Sequence, residues 1–289
     1  MTISVAGVTL SSPDKVLWSE QGLTKRDLAA YLERVAPRML PHVEGRPLAL
    51  VRCPRGREAK CFFQKHSQGS EPEGVVGALV PEGDGRAAHL AIEGARGLVA
   101  LAQLGVLEVH VWGSRRDRVE RPDRMVFDLD PDEALDFEAV KEAAREVKAR
   151  LEADGLRAFV MTTGGKGLHV VAPLERRHGF DAMKGYARAV AEAMVADAPD
   201  RFVAKASKDA RAGKIFVDYL RNGLGATAIA PYSPRAREGA PVATPIRWDE
   251  LARVEGGDAY DVPAIGRRLA ALRADPWAGY AEAKGRLPG

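Results

Sequence analysis

Two cysteines in 289 residues, a 6% aromatic share and no long apolar run set the first limits on this chain. Cys53 and Cys61 have no second cysteine pair to complete a zinc site. They fit a reducing compartment, with a disulfide between them the less favoured state. No stretch approaches the roughly 20 apolar residues that cross a bilayer, so no membrane is expected as a partner. Met1-Thr2-Ile3-Ser4 lacks the basic end and apolar heart of a secretory leader, which points to the cytoplasm. Charge of one sign is lacking too: 43 Lys and Arg face 40 Asp and Glu, for a net +3. What remains, 46% hydrophobic and 29% charged, describes a soluble globular protein long enough for one large domain or two small ones.

The balanced total hides a local imbalance. Residues 52–66 carry Arg52, Arg55, Arg57, Lys60, Lys65 and His66 against Glu58. Residues 201–221 carry Arg201, Lys205, Lys208, Arg211, Lys214 and Arg221 against Asp209 and Asp218. Either run alone is commonly a solvated face. Two runs flanking acidic strands suit a polyanion, and Arg52 becomes a candidate DNA contact.

Periodicity predicts the elements. Thr24 caps a helix through about Met39 with Leu28, Tyr31, Leu32 and Val35 on its apolar stripe. Arg46–Arg52 reads as a strand, Ser67–Gly85 as loop with short strands, and Leu104–Trp112 as a half-buried strand. Asp136 caps a helix to about Asp154 that Gly155 stops. Strands are expected at Arg157–Met161, Leu168–Ala172 and Ile215–Leu220, with helices at Phe180–Asp197 and Asp261–Arg273 and a weakly structured tail after Asp275. Helices and strands mix without strict alternation, which reads as an α+β fold.

The acids carry the chemistry. In Met125-Val126-Phe127-Asp128-Leu129-Asp130-Pro131, a strand points Asp128 and Asp130 to one face, with Cα atoms about 7 Å apart. Asp-x-Asp is short and surface strands often carry one, but Val126, Phe127 and Leu129 mark a central strand. Carboxylates buried side by side repel, and a divalent cation removes that cost. Asp218, in Ile215-Phe216-Val217-Asp218-Tyr219, would complete an oxygen-only two-metal site for phosphoryl or nucleotidyl transfer, suited to Mg²⁺ or Mn²⁺.

Other pieces fit a phosphate-rich ligand. Thr162-Thr163-Gly164-Gly165-Lys166-Gly167-Leu168-His169 joins two strands, and its glycines let backbone N–H groups approach an anion. Its spacing is not that of a Walker A loop, and a plain glycine-rich turn is the bland alternative. His169 is by itself more often a structural histidine than a ligand. His110 shares a polar strand face with Glu108. Of the adjacent Phe62 and Phe63, one is free to be core and the other to stack on a base. Arg221, Arg235 and Arg237 offer forks that match phosphate oxygens.

With these residues in view the chain resembles the polymerase domain of bacterial DNA ligase D, a branch of the archaeo-eukaryotic primase superfamily that serves nonhomologous end joining. The likeness runs from about Ser12 to Trp248. It rests on Asp14-Lys15-Val16-Leu17, Gly22-Leu23-Thr24-Lys25, Phe62-Phe63, Glu108-Val109-His110-Val111, Val126-Phe127-Asp128-Leu129-Asp130, Gly165-Lys166-Gly167-Leu168-His169, Phe216-Val217-Asp218-Tyr219 and Ile229-Ala230-Pro231-Tyr232-Ser233.

The resemblance implies a primase-like catalytic core with mixed and antiparallel sheets flanked by helices. It implies one primase-polymerase domain over 1–289: a soft N-terminal subdomain over about 1–100, a catalytic core over about 101–250 and a helical end over about 251–289. Asp128, Asp130 and Asp218 would hold two Mn²⁺ or Mg²⁺ ions. Thr163, Lys166, His169, Thr227, Arg235, Arg237 and His110 would bind the incoming ribo- or deoxyribonucleoside triphosphate. Lys15 and Lys25 would grip the 5′-phosphate of a gapped or broken duplex, and Phe62 and Phe63 would stack on the template. Ku and a DNA ligase are the implied partners, on the bacterial nucleoid. The Lys-x-Asp-Gly ligase signature is absent from the sequence.

Two rival functions use parts of the same set. A two-metal nuclease or phosphohydrolase would need the carboxylates but no triphosphate loop or arginines. A non-catalytic DNA-end-binding module would need the basic runs but no acidic trio.

Overall fold

The structure, a computed structural model, describes residues 1–207 and 209–288; Lys208 of the second basic run and Gly289 lie outside the described residues. The chain divides into two compact units, each built from separated segments. One comprises Met1–Trp112, Ile229–Ala243 and Tyr260–Arg273, the other Gly113–Ala228, Thr244–Ala259 and Ala274–Gly289.

The first unit begins with β1 (Thr2–Val5), β2 (Val8–Ser11), β3 (Val16–Trp18), β4 (Leu23–Thr24) and α1 (Lys25–Val43). It continues through β5 (Leu48–Arg52), β6 (Phe62–Gln64), β7 (Val75–Glu82), β8 (Gly85–Ile92), α2 (Gly94–Gln103) and β9 (Val106–Trp112). Thr24 caps α1 as its sequence predicts: its hydroxyl accepts from Asp27 N–H while the Asp27 carboxylate accepts from Thr24 N–H, an arrangement worth about 1 kcal/mol. Leu28, Leu32, Val35 and Met39 are buried along one stripe of the helix. Strands run β9-β5-β8-β7, with β6 on β5.

Three expectations are corrected here. The 67–85 stretch is loop only to Gly74, and the strand in it is not short: β7 and β8 pair along eight residues from Val75↔Ile92 to Glu82↔Gly85. The Gly83-Asp84 turn, with Gly83 at φ 56°, closes that hairpin. β9 is not half-buried. All of its residues but His110 are buried, Glu108 and Trp112 included, and it is paired on both edges, by β5 and by Ala230 N–H donating to Val109 O. Cys53 and Cys61 are joined in a disulfide, because the Arg52↔Phe62 register sets them opposite each other with Cα atoms 4.4 Å apart.

The second unit contains β10 (Arg124–Pro131), α3 (Phe137–Ala153), β11 (Phe159–Thr162), β12 (Leu168–Pro173), α4 (Phe180–Asp197), β13 (Phe202–Val203) and β14 (Ile215–Asp218). After β15 (Thr227–Ile229), β16 (Pro245–Ile246) joins it, and α5 (Val262–Ala271) belongs to the first unit. Strand order is β13-β14-β10-β12-β11-β16, antiparallel except for β13 beside β14. With α3 and α4 packed against it, this mixed sheet gives the expected α+β architecture. β10 sits between two neighbours, so Met125, Phe127 and Leu129 are fully buried. The predicted strand at 215–220 stops at Asp218, where the carboxylate accepts from Leu220 N–H and a short 3₁₀ turn begins. The tail is better ordered than expected: Trp277 donates to Val160 O and stacks on Tyr280, and Gly285 pairs with Pro173 and Glu175.

Candidate active site

Register brings the three aspartates together. On β10, Asp128 is directly opposite Asp218 of β14 and directly opposite His169 of β12. Opposed residues of an antiparallel pair share a face, and so do residues two apart on one strand. Asp128, Asp130, Asp218 and His169 therefore lie on one face of the sheet. His169 Nε2 is 3.4 Å from Asp128, and its ring is buried. Two arginines answer the acids. Arg221 Nε lies 3.0 Å from Asp218 and 3.3 Å from Asp128, and Arg211 Nη1 donates to Asp130 at 2.9 Å.

These cations do not cancel the negative charge. Burial pushes the Asp218 carboxyl above the usual range; Arg221 opposes this and Asp128 adds to it. Burial likewise raises Asp130, Asp128 adds to the rise, and Arg211, Lys166 and Arg221 pull against it. Carboxyls held above their ordinary values, Asp218 buried and Asp130 half-buried, with oxygen the only donor from each, fit a hard divalent ion.

The glycine-rich loop is built by close packing. A Cβ at Gly167 would meet Leu129 O at 2.0 Å, so only glycine lets the loop pass β10 beside Asp130. Gly257 backs the loop from its other side: a Cβ there would meet Gly165 O at 2.5 Å. Thr163 turns its hydroxyl inward to Gly167 O, and Lys166 pairs with Glu133 at 2.6 Å, both side chains largely exposed. Thr227, on β15, is partly exposed.

In the first unit, Glu108 organises a second cluster. It bonds His110 Nε2 at 2.8 Å, lies 3.1 Å from Arg235 Nε and accepts Ala236 N–H at 2.9 Å. Burial alone would raise the Glu108 carboxyl. The His110 hydrogen bond and the Arg235 charge outweigh it and bring the group down to about 2. Ser233 fixes the 230s segment by accepting Val109 N–H at its hydroxyl. Arg237 is exposed.

Of the expected DNA contacts, Lys15 and Lys25 lie together, with Lys25 N–H donating to Lys15 O. Lys25 Nζ is buried against Ser11 O and Gln103, and burial followed by the Lys15 charge lowers its pKa. Neither phenylalanine is core: Phe62 is 43% exposed and Phe63 76%. Arg52 does not reach outward. It bonds Leu104 O and Gln64 and stands behind the Phe62 ring at 5.4 Å.

Several residues in these clusters escaped the sequence reading. Arg211 was visible only as one charge in a basic run. Asn222 clamps both Val126 N–H and Val126 O, locking the turn after Asp218 to β10. Gly257 lies far from its loop in sequence. Only a Gly-Gly pair and an Asn four residues past the aspartate could have signalled these two.

The pattern of the LigD primase-polymerase domain matches residues 24–277. The multifunctional non-homologous end joining protein LigD of Pseudomonas aeruginosa is 41% identical over 286 residues, 98% of this chain and 34% of that protein. The bifunctional non-homologous end joining protein LigD of Bacillus subtilis is 30% identical over 242 residues, 83% of this chain and 39% of that protein. The chain thus spans between a third and two fifths of the length of these relatives. The polymerase domain of Mycobacterium tuberculosis ligase D, solved in complex with DNA, is similar at 33% identity and a TM-score of 0.87, covering 96% of this chain and 99% of that one. The chain belongs to the LigD primase-polymerase domain family.

Proposed function

We propose that this chain, acting as one primase-polymerase domain, adds ribo- or deoxyribonucleotides to a primer 3′-hydroxyl at gaps or double-strand-break ends. The observation that carries this reading is the convergence of Asp128, Asp130 and Asp218 on one sheet face with an incompletely neutralised charge. Two divalent ions, Mn²⁺ or Mg²⁺, held by these three carboxylates would lower the pKa of the primer hydroxyl and take up charge on the departing pyrophosphate.

The chain's own groups do the rest. Arg221 and Arg211 hold the carboxylates in register and offer cationic forks to triphosphate oxygens. Lys166, tied to Glu133 by an exposed ion pair of little strength, can exchange that partner for a phosphate. Thr163 keeps the glycine loop closed, and His169 sits against Asp128. Thr227 is assigned to the nucleotide. His110, Arg235 and Arg237 are assigned to it as well, the first two oriented by Glu108.

On the DNA side, Lys15 and Lys25 repel each other, and a 5′-phosphate relieves that repulsion. Phe63 and Phe62 are assigned to template stacking, with Arg52 bracing Phe62. A filled gap presents a 3′-hydroxyl beside a 5′-phosphate, which a DNA ligase can seal. Ku and such a ligase are the proposed partners, on the nucleoid of a bacterial cytoplasm. Among the described residues no helix is long and apolar enough to cross a membrane.

The test is extension of a gapped, 5′-phosphorylated duplex with ribo- and deoxyribonucleoside triphosphates in Mn²⁺ and Mg²⁺. Lengthening of the primer supports the reading, and shortening of the DNA supports a nuclease instead. Replacing Lys15 and Lys25 together should weaken binding to this duplex more than to its unphosphorylated counterpart. Equal weakening on both would reject the phosphate role.

A further inference from the structure

His66, Glu82 and His89 form a group in the first unit that nucleotidyl transfer does not use. β7 and β8 make a hairpin, and the chain leaving β6 runs along β8. Ser67 N–H donates to Ala88 O, Leu90 N–H donates to Lys65 O, and His66 bridges His89. Glu82 closes β7 and turns its carboxylate onto both imidazoles. Its Oε2 is 2.8 Å from His66 Nε2, and its Oε1 is 3.7 Å from His89 Nε2. One ligand atom from each of the three residues lies within 4.8 Å of the other two.

His89 is the observation that needs a cause. It is 3% exposed, and neither ring nitrogen has a hydrogen-bond partner. Buried imidazole nitrogens are normally satisfied, so an orphaned pair, with Nε2 facing a carboxylate beyond hydrogen-bond reach, calls for a missing partner. Burial keeps this ring neutral, the form with a lone pair to give. Trp112 packs edge-on at 5.5 Å and fixes the ring's tilt. Lys65 touches the same Glu82 carboxylate. It is exposed and can swing out when a stronger cation arrives.

We propose that His66, Glu82 and His89 bind one zinc-type divalent ion, which fastens the strand leaving Phe62–Phe63 to the β7–β8 hairpin. Two imidazole nitrogens and one carboxylate oxygen, with a fourth position for water, are a borderline-soft donor set. The three aspartates offer oxygen alone. The chain therefore holds two cation sites sorted by ligand chemistry. This site stands on its own geometry and does not depend on the polymerase reading.

The experiment is calorimetric titration of Zn²⁺ into the full chain carrying Asp128→Asn, which weakens the carboxylate site, followed by Co²⁺ spectroscopy. The expected result is one Zn²⁺ per chain and a Co²⁺ complex with the intense visible bands of four-coordination. Affinity should fall at least about tenfold in both His66→Asn and Glu82→Gln, the scale seen even for residues that only support a ligand. His66 and Glu82 are not core residues, so both variants should keep the wild-type circular dichroism. His89→Asn is the stricter variant but disturbs a buried position. Absence of Zn²⁺ binding, weak octahedral-type bands, or less than a tenfold change in either folded variant would overturn the proposal.

Discussion

Glu108 and Asp218 are both buried carboxylates on strands, yet their electrostatics are opposite. Glu108 has His110, Arg235 and Ala236 N–H around it, and these outweigh the burial and hold it down near 2. Asp218 has Arg221 and Leu220 N–H, but burial and Asp128 leave it raised, and Asp130 is raised beside it. The chain completes one acidic cluster with its own cations and leaves the other short of positive charge. A structural ion pair needs nothing further, whereas a charge deficit on a sheet face is a place for an external cation.

The linkage differs in sign as well. Glu108 has a folded pKa below its ordinary 4.5, so its cluster contributes stability above that pH and loses it as pH falls toward 2. Raised Asp130 and Asp218 do the reverse. They favour folding at low pH, and that contribution is lost as pH rises through their elevated values.

The largest expected effect is catalytic. Asp218→Asn should lower primer extension at least about a thousandfold, since several kcal/mol of transition-state charge stabilisation would be lost. The same substitution should raise the melting temperature of the metal-free chain, because it removes a buried charge whose burial cost Arg221 and Leu220 N–H do not fully offset. A drop in both would break the comparison.

Next is metal itself. Mg²⁺ at a hundred times its Kd should stabilise the wild type by about 2.7 kcal/mol and leave Asp218→Asn unmoved in thermal melts. Glu108→Gln should keep that Mg²⁺ response but lose about 2 kcal/mol of stability in urea, because Arg235 and His110 lose a charged partner. The smallest effect belongs to Phe63→Ala. It should leave stability within about 0.5 kcal/mol of wild type, as expected at a surface position. It should weaken template binding, read by fluorescence anisotropy, by about 1 kcal/mol.

What the sequence made legible follows from locality. The caps at Thr24 and Asp136, the stop at Gly155 and the helix over Phe180–Asp197 were readable because each signal lies within one turn of what it controls. Asp128 and Asp130 were readable as a pair because a strand's period is two. Their position opposite Asp218 depends on β14 finding β10, a pairing no local pattern encodes. The β7–β8 hairpin was hidden by Pro72, Pro81 and five glycines between 69 and 85, although Gly77 and Gly85 sit inside its ladder. α2 was missed because it begins at two near-adjacent glycines, Gly94 and Gly97, without a side-chain cap. The disulfide was disfavoured on grounds of compartment, while the β5–β6 register decided it. Arg211, Asn222 and Gly257 act across long stretches of chain, so their partners emerge only in the folded sheet.

The most direct test is anomalous diffraction from crystals grown with Mn²⁺ and a non-hydrolysable nucleoside triphosphate. The expected result is manganese signal bound jointly by Asp128, Asp130 and Asp218, with the triphosphate on the same sheet face. Aspartates still paired only to Arg211 and Arg221, with no manganese among them, would contradict it.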